Sequence, residues 1–351
     1  MLKERTNMKK IIALTLALVM LLSLAACAKE EPQPVTPTRD VPVVTEVAAP
    51  APETEAPSVP VRLMVLNGTT GFGMANLLDS AANGTAALEY RYSVETDASN
   101  IVAALVNGSV DIAALPTNAA STVYNKTQGN VQVLALNTLG VLYLVTDGSV
   151  TVESIEDLAG KTVYAPAQNP TFIFQHIVTA AGVDVTIDNT YAQPADLNTA
   201  VASGEVSIAV LPEPMVTVAR AKNADLKVAL DLTAEWDKVA PAGSLVQGCV
   251  VVRKAFAEEN PDVVKTFLEE YGASIELLTS DIEGTAAKIQ STGIFAQAPV
   301  AAKAIPNCNV CFIIGEEMKA AMSEFLNIMH GVAPASVGGA IPGDDFYCIL
   351  N

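Results

Sequence analysis

Polar side chains able to hold a small molecule recur in this 351-residue chain directly after short apolar runs. Thr69 and Thr70 follow "VRLMVLN"; Thr117 and Asn118 follow "DIAALP"; Asn137 and Thr138 close "VQVLALNT". Gln168, Asn169 and Thr171 follow "KTVYAPA", and Glu213 follows "SIAVLP". These are neutral donors and acceptors with one carboxylate, a set suited to recognising a polar molecule rather than to breaking a bond. Some sit where helices begin, and free first-turn N–H groups favour an anionic group. Glu213 instead favours an amino group. Taken singly, a Thr or Asn before a helix is ordinarily a cap, and Glu213 equally fits a structural role, holding a hinge N–H or a surface Lys. Facing one crevice, they form a binding set.

Other chemistries find less support. The glycines of "NGTTGFG" fall at 68, 71 and 73, fitting neither a dinucleotide-binding fingerprint nor a Walker A loop with its Lys. Cys308 and Cys311 form a lone C-x-x-C, and His176 and His330 are the only histidines, so no metal site is expected. These thiols, with Cys249 and Cys348, read as small hydrophobes, a disulfide remaining open. His176 lies among Phe172, Phe174 and Ile177 and reads as structural. The chain has no G-x-S-x-G, S-x-x-K or H-E-x-x-H motif.

The elements that must position these residues alternate strand and helix, which implies an α/β architecture. Expected strands are 61–67, 90–96, 110–115, 161–165, 206–211 and 248–253, with a long extended stretch over 131–147 bent at Gly140. Expected helices are 72–82, 98–106, one opened by an Asn169 cap with Pro170 at its first position, 195–202, one from Pro261, and 316–329. Ser154 with Asp157 reads as a capping box. One segment is written twice: "NGSVDIAALPTN" (107–118) and "SGEVSIAVLPEP" (203–214), 96 residues apart. Each is a Gly turn, an apolar strand and a Leu-Pro stop, Pro having no N–H for the ladder. Duplication explains this best. Ligands of open α/β sheets bind beyond the strands' carboxyl ends, so two such units facing each other would hold a ligand between them.

The first residues read differently. Lys9 and Lys10, an apolar run over 11–22 and "LAAC" (24–27) have the layout of a secretory signal. The run is shorter than the ~20 residues of a spanning helix. "LAAC" resembles a lipoprotein lipobox, which would make Cys27 a lipidated N-terminus. Residues 28–60 are rich in Pro, Ala, Glu and Thr and read as a disordered tether reaching on the order of 100 Å. The chain carries 20 basic and 38 acidic side chains, net −18. Phosphate backbones need the opposite balance, so nucleic acid is not an expected partner.

"SIEDLAGKTVYAPAQNPTFIFQHIVTAAG" (154–182), "ASGEVSIAVLPEP" (202–214) and "GCVVVRKAFAEENPDVVKTFLEEYGASI" (248–275) resemble solute-binding lipoproteins of bacterial ABC importers. The nearest group looks like the nitrate, sulfonate, taurine and thiamine-pyrimidine binding proteins. The resemblance implies a two-lobed type II periplasmic-binding fold, with residues 61–145 and 245–351 in lobe one and 146–244 in lobe two. It implies a monomer, tethered outside the cytoplasm, that passes a small polar solute to ABC permease subunits without cofactor or catalysis. Members of this group often carry an aromatic residue after Glu-Pro, where Met215 stands here. The same fold resembles thiamine-pyrimidine synthases, which need a pyridoxal-phosphate lysine and a histidine cluster; no Lys occurs between Val61 and Asn125. A ligand-sensing partner of a membrane receptor would share every feature named.

Overall fold

The structure, a computed structural model, describes residues 59–350. The chain divides into two units, Met1–Thr54 and Glu55–Asn351, and the described residues belong to the second. The expected signal, Cys27 and all but the last two residues of the tether lie outside the described residues. Among the described residues no helix is long and apolar enough to cross a membrane.

The chain opens with β1 (Val61–Leu66), α1 (Thr69–Phe72), α2 (Ala75–Ala82), β2 (Tyr90–Glu95) and α3 (Ala98–Asn107). It continues through β3 (Ile112–Pro116), α4 (Thr117–Thr127) and β4 (Val131–Thr138). Next come β5 (Leu142–Thr146), β6 (Thr162–Tyr164), α5 (Asn169–Ala180), β7 (Thr186–Asp188), α6 (Pro194–Ala202), β8 (Ile208–Pro212), α7 (Met215–Lys222), β9 (Lys227–Asp231) and α8 (Leu232–Trp236). Last are β10 (Gly248–Arg253), α9 (Lys254–Glu259), α10 (Pro261–Ser280), α11 (Ile282–Ser291), α12 (Ala298–Ala304), β11 (Val310–Ile313) and α13 (Gly315–Val332).

Two sheets result, in the order β11-β4-β10-β3-β1-β2 and β7-β6-β8-β5-β9. The second repeats the first. β1 lies parallel between β2 and β3, as β6 lies parallel between β7 and β8. β10 then runs antiparallel beside β3 and β4, as β5 does beside β8 and β9. The repeat written in the sequence is therefore a repeat of place. β3 and β8 hold the same position, each with four buried residues before a half-buried proline. The α/β class and two-part architecture agree with the expectation.

Local detail departs from it at three points. The stretch 131–147 is two strands in different sheets, not one bent strand. Gly140 lies at the crossing because a Cβ there would stand 2.2 Å from the Thr233 hydroxyl and 2.7 Å from Leu245. The first helix begins at Thr69 and is interrupted before Ala75. The N-cap position of the helix at Asn169 falls one residue earlier, on Gln168 at φ 71°, which makes no side-chain cap bond, and the Asn169 side-chain oxygen caps nothing either. The capping box of Ser154 and Asp157 is present, on a single 3-10 turn. Met318, Met322, Phe325 and Met329 form the buried face of α13, as expected.

One apolar core runs through both sheets, while each sheet packs its other face on a core of its own. The shared core is bridged by aromatic rings. Trp236 of α8 lies 5.9 Å from Phe325 of α13 and 4.9 Å from His176 of α5. Its indole N–H donates to the Ser244 hydroxyl at 2.8 Å, so the ring is buried without stranding its polar edge. Cys249, Cys308, Cys311 and Cys348 are free thiols, the first two buried.

Candidate functional site

The carboxyl ends of strands from both sheets border one cavity of about 410 Å³. From the first sheet come Leu66 to Thr70 after β1, Thr96 after β2, Pro116 and Thr138. From the second come Asn169, Gln193 to Ala195, and Pro212 to Met215. The starts of α5, α6 and α7 thus face the starts of α1 and α4, and the first N–H groups of a helix lack intrahelical partners. A second cavity of about 580 Å³ shares Pro116 and Asn169 with the first and reaches Asn118, Gln168, Asp97 and Lys126.

Between the two cavities the Asn169 amide donates to the Asn118 side-chain oxygen at 2.8 Å. Asn118 in turn donates to the Ser336 carbonyl at 3.3 Å. The Asn169 side-chain oxygen is shielded from solvent and accepts no hydrogen bond, an unspent acceptor beside both cavities.

The first-sheet wall is held from behind. Thr138 lines the cavity and its hydroxyl donates to the Asn137 side-chain oxygen at 3.0 Å. Asn137, 1% exposed, donates to the Thr70 carbonyl at 3.1 Å, tying α1 to β4. It supports the wall and does not line it. Gly248 makes this packing possible, since a Cβ there would meet the Asn137 oxygen at 2.4 Å and the Thr138 hydroxyl at 2.9 Å.

Two expected site residues are used internally. The fully buried Thr117 gives its hydroxyl to the Val246 carbonyl at 2.7 Å. Thr171 gives its hydroxyl to the Pro166 carbonyl at 2.7 Å and accepts from Asn189 at 2.6 Å. Neither borders either of these two cavities. Thr69, Thr70, Thr138, Asn169 and Glu213 border the inner cavity, and Asn118, Gln168 and Asn169 the outer one.

The two repeats diverge just past the Leu-Pro stop, and the backbone treats the diverging residues alike. Thr117 N–H donates to the Gln247 carbonyl ahead of β10, and Glu213 N–H to the Val141 carbonyl ahead of β5. Their side chains then part. Glu213 is 3% exposed and is the inner cavity's only titratable side chain among the described residues. Its oxygens accept from the Thr217 N–H at 3.1 Å and the Thr217 hydroxyl at 3.0 Å, closing the first turn of α7. Burial raises its pKa above the ordinary carboxylate value, outweighing those bonds, a further one from the Asn307 side chain and a weaker attraction from Arg220.

Sequence reasoning missed Gln193, Gln247, Asn67 and Thr96. Gln193 had a signal: Asn169-Pro170, Gln193-Pro194 and Glu213-Pro214 each set a polar residue before a proline where a helix begins. Gln247 had none, since it precedes a strand. Its side-chain oxygen accepts from Val141 N–H at 2.8 Å, bracing the crossing between sheets. No lysine, histidine or cysteine borders the inner cavity, and among the described residues no His, Cys, Asp and Glu cluster could hold a metal. His176 packs on Trp236, away from both cavities, its pKa lowered by burial.

Solved structures share this fold. An ABC transporter protein from Parabacteroides distasonis aligns with TM-score 0.71 and 23% identity, over 83% of this chain and 99% of the other. The periplasmic aliphatic sulphonate binding protein SsuA from Escherichia coli aligns with TM-score 0.65 and 15% identity, over 81% and 96%. The alkanesulfonate-binding protein SsuA from Xanthomonas axonopodis pv. citri, bound to MOPS, aligns with TM-score 0.61 and 12% identity, over 82% and 96%. The fold is thus the type II periplasmic-binding fold that the sequence resemblance implied. No curated protein matches the sequence. A family model described as menaquinone biosynthesis matches residues 87–330, from just ahead of β2 to within α13. On that match, the chain belongs to the menaquinone biosynthesis family.

Proposed function

We propose that this protein is an extracytoplasmic, lipid-anchored solute-binding protein that captures a small polar molecule between two lobes and delivers it to an ABC permease. The observation that carries this reading is the inner cavity, bordered by strand ends and helix starts from two like-ordered sheets. Each lobe is built on one sheet, the chain crossing near Gly140 and returning ahead of β10. The structural neighbours, binding proteins for aliphatic sulphonates among them, support it. Function then lies in the different affinities of open and closed states for the solute.

A second reading, catalysis on a small molecule, draws on the family's biosynthetic description and on Glu213, a residue of the cavity wall whose buried carboxyl has a raised pKa. The pyridoxal-phosphate version of that reading has no lysine at the inner cavity to support it. One experiment separates capture from catalysis. The purified protein is screened by thermal shift against sulfonates, nitrate, taurine and aminopyrimidines, and each stabilising compound is recovered and weighed by mass spectrometry. A compound at 100 times its dissociation constant adds about 2.7 kcal/mol. Recovery unchanged supports capture; conversion at turnover excess supports catalysis. Sensing is separated from transport by genetics: solute uptake that requires both this protein and an ABC permease supports delivery.

A further inference from the structure

Besides the two chain crossings, the sheets are joined a third time, without a covalent bond. The 3-10 turn Ile305–Asn307 and the residues after it lead into β11 of the first sheet. This short segment is held from the second sheet and from the crossing. The Tyr143 hydroxyl of β5 donates to the Asn307 carbonyl at 2.9 Å. The Asn309 amide donates to the Gly140 carbonyl at 2.6 Å, and Leu139 N–H to the Asn309 carbonyl at 3.0 Å. The Asn307 side chain bonds the Glu213 carboxyl, which Thr217 of α7 already holds by two bonds.

Glu213, which follows β8 of the second sheet, is therefore covered in part by residues of the first. Arg220 of α7 attracts its carboxyl weakly. The Tyr143 phenol and the Cys308 thiol feel its charge. Both are pushed above their ordinary values, chiefly by burial, then by Asp231 and Glu213 at Tyr143 and by Glu213 at Cys308. Lys303 joins Arg220, Thr217 and Asn307 around a cavity of about 360 Å³ at this junction. Burial favours the neutral form of a carboxyl and water favours the ion. Turning the sheets apart at Asn307 would remove that cover and hydrate Glu213.

Resting on the two lobes of the capture reading, we propose that Asn307 and Glu213 form a proton-controlled latch between them, closed while Glu213 is neutral and loosened when it ionises. Tyr143 holds the latch segment whatever the state of the proton. The packed junction raises the carboxyl's pKa, and the opened one returns it toward its ordinary value. The latch is then fully favoured below the ordinary carboxylate range and weakens as pH rises through the raised value.

The test follows the distance between fluorophores placed on the two lobes of the whole protein, without solute, from about pH 4 to 8. Wild type should move to shorter distances on acidification, and Glu213→Gln should stay short at every pH. Tyr143→Phe should lengthen the mean distance and keep the pH dependence. Asn307→Ala should lengthen it and flatten that dependence. Loss of one hydrogen bond from the latch should shift the equilibrium roughly three- to tenfold. A wild-type distance that ignores pH, or a pH dependence that persists in Glu213→Gln, overturns the proposal. Distances unchanged in both Asn307→Ala and Tyr143→Phe overturn it as well. Should Glu213→Gln not fold, the flattened response of Asn307→Ala decides in its place. No solute is present, so each of these failures leaves capture standing, to be judged by the compound screen alone.

Discussion

Asn169 and Asn118 join the two sheets' helices side chain to side chain, the amide of one donating to the oxygen of the other at 2.8 Å where the inner and outer cavities meet. A hydrogen bond between neutral groups contributes about 0.5–1.5 kcal/mol. That is small beside folding and comparable with the free-energy differences that bias a cleft between two positions. Asn118→Ala should therefore cost about 1 kcal/mol in urea unfolding and shift the unliganded protein toward a wider cleft. Paired fluorophores on the two lobes would read the widening, and an unchanged distance distribution would argue that the bond does not govern the cleft.

Glu213 makes stability depend on pH in a definite direction. A carboxyl whose folded pKa is raised holds its proton more tightly in the folded chain. Its contribution is fully present below the ordinary carboxylate range and is lost as pH rises through the folded value. Glu213→Gln has no such loss. Urea unfolding should show the variant gaining on the wild type as pH climbs from acid to neutral; a difference that stays constant over that range would remove the raised pKa from the account.

Gly248 sits where a methyl group would strike the Asn137–Thr138 pair from behind. Overpacking of a buried site costs about 1–3 kcal/mol. Gly248→Ala should destabilise by that amount, and it should also weaken solute binding, because the displaced Thr138 borders the cavity. Comparing affinity with unfolding free energy distinguishes a bent wall from a general loss of structure.

Cys27 is proposed as the membrane anchor, from "LAAC" ahead of a Pro-rich segment. More than one acyl chain gives stable attachment. Cys27→Ser should release the protein from membranes into the soluble fraction while solute binding persists. A wild-type protein that washes off in plain buffer, with an unmodified mature N-terminus, would remove the anchor from the proposal.

Much of the fold was legible because its unit is local and written twice. An apolar strand ended by Leu-Pro and followed at once by a helix marks a carboxyl strand end from residues within a short window, and β3 and β8 obey it. Where partners are distant, the reading ran out. Thr117 looked available because the carbonyl that takes its hydroxyl belongs to Val246, 129 residues away. The stretch 131–147 looked continuous because both halves are apolar and extended; only the close approach of Thr233 and Leu245 explains the crossing at Gly140. Asn169 reads as a helix cap from its proline neighbour, yet its partner is Asn118 on the facing helix. Glu213 stands out where the two repeats diverge.

The core that Trp236, His176 and Phe325 carry from one sheet to the other has a bearing on measurement. Lobes with separate cores can melt separately, and a ligand gripped by both then raises two transitions by unequal amounts. Here, unpacking either half strips apolar cover from the other, and large buried aromatics make that loss costly. Heating should give one calorimetric transition, with the ratio of van't Hoff to calorimetric enthalpy near unity for the described residues. Every increment of stability a bound compound supplies would then appear in a single midpoint, which would make that midpoint a quantitative reporter of binding.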